Sequence, residues 1–382
     1  MIGHNSASRY NRVVRVYRFK MLVLTSLSKD IINLIITLSG ATFSGLLFKL
    51  AGVPAPYLVG SMFGIWILSA VIKPLAKSFN IPRWFHIFVV LGLAVLIGAM
   101  FSPDTLGQMA NWITTILVML VASLVATAVG YYYLTRIAGY DPLLAIFCAI
   151  PGGQAEVLIM SRDLLEKDYV VALCHLVRVV TVFCSVPLFL ALTMGKGVVQ
   201  DSNVILSELR SIFDLSIVVI MQIIGLAIVG YGVARLLRVP IPYMMGPLLL
   251  SMVLHISGLV SIPRVSEFVF LAQITIGGAI GARLGKFQFK VLAGHLKNAL
   301  VNVLLVMAVF LAAAYLVAAV TDVGLADVML GFVPGGLYEV TLLSLIFGFD
   351  VAFVAVHHSS RMMFILFSLP LLTKLLGRDK KQ

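Results

Sequence analysis

Ile150-Pro151-Gly152-Gly153-Gln154-Ala155-Glu156 and Val333-Pro334-Gly335-Gly336-Leu337-Tyr338-Glu339 are two copies of one motif, each set inside an apolar stretch. Proline has no backbone N–H to give a helix and glycine is a poor helix former, so each copy predicts a helix interrupted in apolar surroundings. Pro151 and Pro334 stand 183 positions apart, and the same offset aligns Glu156 with Glu339, His175 with His358, Arg178 with Arg361 and Pro187 with Pro370. Upstream it also aligns Ile97-Gly98-Ala99 with Ile280-Gly281-Ala282. An ungapped match of this length is an internal duplication.

Further upstream, Val53-Pro54-Ala55-Pro56-Tyr57 recurs as Val239-Pro240-Ile241-Pro242-Tyr243, each followed three residues later by a glycine, Gly60 or Gly246. Ile81-Pro82-Arg83 likewise recurs as Ile262-Pro263-Arg264. The two halves carry six apolar segments each: 31–48, 55–72, 86–101, 112–135, 142–160 and 169–193, then 212–234, 243–260, 266–282, 298–320, 325–347 and 352–373. Of the 382 residues, 61% are hydrophobic and 12% charged, whereas a soluble domain is about 45–50% apolar and about 25% charged. Lipid is therefore the expected solvent for most of the surface, and several segments reach the length of about 20 residues that a bilayer crossing needs. The expected domains are a basic cytoplasmic tail at 1–30, partly disordered, a first membrane repeat at 31–194, an inter-repeat loop at 195–211, a second repeat at 212–376, and a basic tail at 377–382.

The formal net charge of +12 does not indicate nucleic acid, because the basic residues lie in short loops between apolar runs and form no DNA-reading module. Loop Lys and Arg orient membrane proteins instead. Here they test how the halves face. In the first half the loop after the second segment is basic (Lys73, Lys77, Arg83), and the loop around Asp104 has neither Lys nor Arg. In the second half the bias reverses, with Arg264 alone in the former loop and Arg283, Lys286, Lys290 and Lys297 in the latter. Opposite bias in equivalent loops marks an inverted repeat, and both termini then fall on the cytoplasmic side. Inversion requires an odd number of crossings per half, so one segment of each six must re-enter or break. The Pro-Gly-Gly segment is the candidate, with 86–101 as the alternative. The expected fold is all-α, with about ten crossings and two re-entrant or broken segments.

Unwound backbone inside a membrane is tolerated where it is buried in protein or lines a wet cavity. Pro151, Gly152, Gly153, Pro334, Gly335 and Gly336 are therefore candidate solute-binding positions, because the helix that restarts after each break presents free N–H groups and a positive dipole end. Glu156 and Glu339 fall on the first turn of those restarted helices, where each carboxyl could cap its own helix or carry a proton or cation. His175 with Arg178, and His358 with Arg361, share one helix face in apolar surroundings. The histidines join the glutamates as ion-coupling candidates; the arginines could bind an anionic solute, or could neutralise Glu156 and Glu339 instead. The Pro-x-Pro-Tyr motifs could serve packing, helix kinking or a gate.

The duplicated Pro-Ala-Pro-Tyr-Leu-x-Gly and Pro-Gly-Gly-x-x-Glu elements resemble those of the AbrB family of bacterial membrane proteins, over about residues 31–376. Members carry names such as "ammonia monooxygenase" or "AbrB family transcriptional regulator", and the family is similar to the cation/proton antiporter and anion transporter superfamily. The resemblance implies inverted repeats with broken helices, a bacterial inner-membrane location and an association with regulation of gene expression. An oxygenase is not expected: the seven histidines are scattered, and Cys148, Cys174 and Cys184 lack metal-type spacing. No enzyme, cofactor or metal is expected. The sequence points to secondary transport of a small, anionic or carboxylate-bearing solute coupled to protons or sodium, or alternatively to a membrane sensor without net transport. Its expected partners are the lipid bilayer, that solute and the coupling ion, not nucleic acid, with a homo-oligomer left open.

Overall fold

A computed structural model describes residues 4–193, 209–287 and 289–377. The expected inter-repeat loop and C-terminal tail lie almost wholly outside the described residues. The first half runs α1 (His4–Leu50), α2 (Pro56–Val71), α3 (Lys73–Ala76), α4 (Arg83–Gly98), α5 (Pro103–Met109), α6 (Trp112–Tyr132), α7 (Pro142–Ala149), α8 (Gln154–Leu164) and α9 (Asp168–Thr193). The second runs α10 (Ile217–Leu236), α11 (Pro242–Ile256), α12 (Ser266–Lys286), α13 (Phe289–Val320), α14 (Leu325–Phe332), α15 (Leu337–Phe347) and α16 (Val351–Gly377). No named strand occurs among the described residues. The protein is an all-α membrane protein.

The backbone differs from the sequence reading at its start. Helix α1 begins at His4 and continues past Lys29 and Asp30 into the first apolar segment, so no break separates a disordered tail from it. The stretch contains no proline, and its Arg, Lys, Leu and Met are good helix formers.

Among the described residues seven helices are long and apolar enough to cross a bilayer, counting Leu27–Leu50 within α1. Helix α4 joins them only together with α5, across a bend of 82°. Helices α2 and α11 have 16 and 15 residues, about 24 Å and 22 Å of rise. The expected ten crossings therefore rest on α2, α4 and α11 crossing as short helices.

The duplication is visible element by element, and contacts between α4 and its counterpart α12 show how the halves are related. A Cβ on Gly92, in the second half of α4, would meet the Phe268 ring at the start of α12 at 2.6 Å. Arg264, just before α12, donates from Nε to Met100 Sδ, just after α4, at 3.0 Å. His86, near the start of α4, shares a pocket with Arg283, near the end of α12. The two helices are thus antiparallel. The same holds for α6 and α13, where Tyr133 reaches Asn298 and Gly130 packs against Asn302. Equivalent helices running in opposite directions make the halves inverted repeats.

Each half also contributes its second helix to the other: α2 packs on α12 and α11 on α4. Small residues permit this. Gly277 and Gly281 of α12 face backbone carbonyls of α2, and Gly98 of α4 packs against the backbone of α11. Without a hydrophobic drive between helices in lipid, such close approach supplies the dispersion contacts that hold them.

The Pro-Gly-Gly segments are re-entrant. In the second half the Asp327 carboxylate, at the start of α14, accepts the backbone N–H of Asp350 at 2.7 Å, just beyond the end of α15. In the first half Tyr140, before α7, and Tyr169, after α8, flank the same His295 ring, with centroids 5.4 and 6.5 Å away. Each hairpin therefore enters and leaves at one face. Its arms of 8 and 11 residues are too short to cross a hydrocarbon core of about 30 Å. The alternative re-entrant segment, 86–101, instead forms α4, the short helix bent against α5.

Candidate functional site

Each hairpin is held by the long helix that follows it. At the second tip, Arg361 of α16 donates from Nη1 to the carbonyls of Phe332 (2.9 Å) and Val333 (3.0 Å), and from Nη2 to that of Gly335 (3.0 Å). These lie at the unwound C-terminal end of α14, where a helix leaves carbonyls unsatisfied and its dipole is negative. Nη2 also donates to His358 Nδ1 at 3.0 Å, while His358 Nε2 bonds the Leu330 carbonyl at 2.9 Å. Because a guanidinium only donates and a carbonyl only accepts, the imidazole is neutral with its proton on Nε2.

The first tip repeats this arrangement. Arg178 Nη1 donates to the Ile150 carbonyl and Nη2 to His175 Nδ1, and His175 Nε2 bonds the Phe147 carbonyl at 3.0 Å. All four side chains are buried, with Arg361 only 1% exposed. His-x-x-Arg is thus a staple that closes an interrupted helix, and its spacing from the Pro-Gly-Gly turn is preserved in both halves because the hairpin geometry demands it.

Three sequence expectations change here. Arg178 does not pair with Glu156, nor Arg361 with Glu339; among the described residues the ion pair within 4.0 Å joins Arg162 to Asp168, at 3.8 Å. The Nη groups of both arginines are committed to protein carbonyls and to the histidines, so an anion would have to compete for them. In His175 and His358 both ring nitrogens are engaged, which leaves no site for a coupling ion without opening the staple. The reason is common to all three: an unwound helix end in a membrane needs donors, and the nearest cation supplies them.

The two tips approach each other. A Cβ on Gly152 would meet Ile365 at 2.8 Å and the Nε of Arg361 at 3.6 Å, so the second half's staple touches the first half's turn. Gly153 takes a left-handed conformation, φ 57°, as the residue before α8. Gly152, Gly153, Gly335 and Gly336 line one cavity of about 680 Å³, into which Glu339, His358 and Arg361 also face. Pro151 and Pro334 are buried beside their glycines and do not line it.

The two glutamates differ. Glu339 is 5% exposed, lines the cavity, and its carboxylate folds back over Gly336 at the N-terminus of α15. Glu156 is partly buried and does not line the cavity, although it curls towards Gly153 in the same way. In both carboxylates Oε2 is buried without a hydrogen-bond partner among the described residues. Helix α15 packs on α16 and also against α4 and α12, whereas α8 packs mainly on α9. The repeats share a fold and differ in how their hairpins are seated.

Sequence reasoning missed the rest of the cavity wall. Arg83 and His86 at the start of α4, and Arg283 and Lys286 at the end of α12, line it with Arg162 and Tyr243. Arg83 recurs as Arg264, but Arg283 and Lys286 are not duplicated: Met100 and Pro103 occupy the equivalent positions. Their only sequence signal was loop charge, read as topology alone. Tyr243 of the second Pro-x-Pro-Tyr motif faces the cavity, while its counterpart Tyr57 packs edge-on against Phe270 at 4.8 Å. Among the described residues no group of three or more His, Cys, Asp or Glu side chains is placed to hold a metal ion.

Comparison with known proteins places this architecture. Residues 65–377 match the family described as "Transition state regulatory protein AbrB". The chain is 23% identical over 381 residues to "Uncharacterized protein YhjN" of Bacillus subtilis (strain 168), covering 93% of this chain and 97% of that protein. No solved structure matches.

Proposed function

The chain belongs to the AbrB family of membrane proteins, and from that premise we propose that it is a secondary transporter of a small anionic or carboxylate-bearing solute, coupled to protons or sodium. The observation that carries this reading is a cavity between the tips of two inverted re-entrant hairpins, walled by five Lys and Arg side chains, the stapled Arg361 among them, and one buried carboxylate. At about 680 Å³ it suits a small organic molecule. Paired hairpins of opposite orientation supply half-helix ends to a solute from both faces, as alternating access requires.

The cavity is bounded by Arg83, Arg162, Arg283 and Lys286. By the positive-inside rule these mark the cytoplasmic face, so this conformation opens inward and both termini lie in the cytoplasm of a bacterial cell, with the chain in the inner membrane. The solute is carried unchanged and no catalysis is involved. Glu339 is the coupling carboxylate in this conformation.

Flux tests the reading. Purified protein in liposomes, with a pH or sodium gradient imposed, is expected to accumulate at least one labelled small carboxylate, and absence of gradient-driven flux across a panel of mono- and dicarboxylates would reject transport of that class. Binding without flux supports a second reading, a membrane sensor, which the regulatory description of the matched family favours.

A further inference from the structure

Beside the cavity, and sharing these residues with its wall, lies a pocket of about 10 Å³ lined by His86, Gln154, Arg283, Tyr338 and Glu339 among apolar residues of α9 and α12; it has room for roughly one water. The pocket joins one duplicated residue, Glu339, to Arg283 and His86, which the first half does not repeat. It places a cation without an ion-pair partner within 4.0 Å among the described residues beside a carboxylate that is 5% exposed and has an unpartnered oxygen.

We propose that the part of the cavity beside this pocket is the anion subsite, that Arg283 binds the solute carboxylate there, and that the solute binds together with a proton on Glu339. The inference rests on the transport reading and deepens it by naming the binding cation, the proton carrier and the sign of their coupling.

The argument has two steps. First, the duplicated arginines are engaged by the hairpin carbonyls, which leaves the cavity's cations to α4, α8 and α12. Of these, Arg283 alone lines both the broad cavity and the pocket beside it. An arginine fork matches a carboxylate with two parallel hydrogen bonds, so it both attracts and orients the solute.

Second, the ionised Glu339 carboxylate, folded over Gly336, already occupies the N-terminal end of α15. A second anion beside this buried carboxylate meets like-charge repulsion, which a local dielectric below that of water strengthens. Protonation removes that repulsion and lets the solute take the helix end. By linkage a bound solute raises proton affinity as much as a bound proton raises solute affinity, so the two load together and move in the same direction.

The surroundings of Glu339 decide whether another group could replace it as the pH-sensing site. Arg283 faces it from α12, His86 from α4, and the stapled His358 and Arg361 from α16. Arg178 of α9 and Tyr243 of α11 lie within electrostatic reach. Asp327 of α14 is at the opposite end of its hairpin, bound to Asp350. Glu339 is the carboxylate at the pocket.

The test is ligand-induced stabilisation of the full-length protein in detergent. Sodium acetate, lactate and succinate are the probes, each compared with sodium chloride at matched ionic strength in an acidic and an alkaline buffer. At least one carboxylate is expected to raise the unfolding midpoint, with an apparent affinity about tenfold higher in the acidic buffer. Arg283→Gln should abolish the effect at both pH values, while Lys297→Gln, which removes one charge from the same cytoplasmic region, should not. Glu339→Gln, a mimic of the protonated acid, should bind at both pH values equally. Stabilisation that survives Arg283→Gln, or pH dependence that survives Glu339→Gln, overturns the subsite while leaving transport standing, since flux is measured separately. No stabilisation by any probe overturns the inference for carboxylates.

Discussion

Arg361 and His358 are joined by a hydrogen bond of 3.0 Å, from the guanidinium Nη2 to the imidazole Nδ1, and together they hold four carbonyls of an interrupted helix: those of Leu330, Phe332 and Val333, and that of Gly335 beyond the proline. A residue pair that the sequence offers as ion-coupling and solute-binding candidates is a structural clamp in space.

Loss of the clamp should therefore appear as loss of stability. Arg361→Gln leaves several buried carbonyls without donors, at about 1–3 kcal/mol for each group left unsatisfied. Arg361→Lys keeps the charge but lacks the planar fork that reaches three carbonyls at once. Both variants are expected to lower the unfolding midpoint in detergent, with Arg178→Lys behaving alike at the first tip. Wild-type midpoints in all three would remove the clamp.

Gly336 and Gly153 should respond differently to alanine. Gly336 has φ −78°, which alanine adopts freely, but its Cβ would collide with the Glu339 carboxylate. Gly336→Ala is expected to keep its fold and lose pH-driven flux. Gly153 has φ 57°, so Gly153→Ala should instead cost about 1–2 kcal/mol of backbone strain. Equal flux in Gly336→Ala and the wild type would show that the carboxylate's position does not matter.

Strain is also stored where the Pro-x-Pro-Tyr motifs start their helices. Ala55 and Ile241, the middle residues of the two copies, have φ 48° and 47°. Ala55 is fully buried and loses only a methyl group on replacement. Ala55→Gly is expected to stabilise the protein by up to about 1 kcal/mol by relieving that strain. A lower unfolding midpoint would mean that the methyl's packing outweighs it.

Inversion predicts sidedness. In a background with Cys148, Cys174 and Cys184 replaced, a cysteine at Asp104 should react with an impermeant maleimide added outside intact cells. A cysteine at Phe287 should react only after permeabilisation. Labelling of both from one side would contradict the antiparallel relation of α4 and α12.

Glutamate substitutions separate the two carboxylates. Glu339→Gln is expected to abolish pH-driven flux with the fold intact, and Glu156→Gln to do the same if the first hairpin takes its turn at the site in the opposite-facing conformation. Unaltered flux in both variants removes the acidic pair from coupling.

The amino-acid sequence by itself determined the membrane setting, the duplication, the inversion and the positions of the two helix breaks. These are written in quantities that act locally or add along the chain: hydropathy over a bilayer's length, loop charge, and the backbone limits of Pro151-Gly152-Gly153 and Pro334-Gly335-Gly336. Tertiary structure alone decided what the buried charges do. Arg178 and Glu156 have the same spacing as Arg361 and Glu339, and no pattern in one copy distinguishes an ion pair from a clamp, because the choice depends on which carbonyls the folded hairpin leaves without donors. Nor could duplication reveal Arg283 or separate Glu339 from Glu156. Those differences arise from the seating of α15 against α4 and α12 while α8 remains on α9, an asymmetry of packing between two stretches that local sequence makes alike.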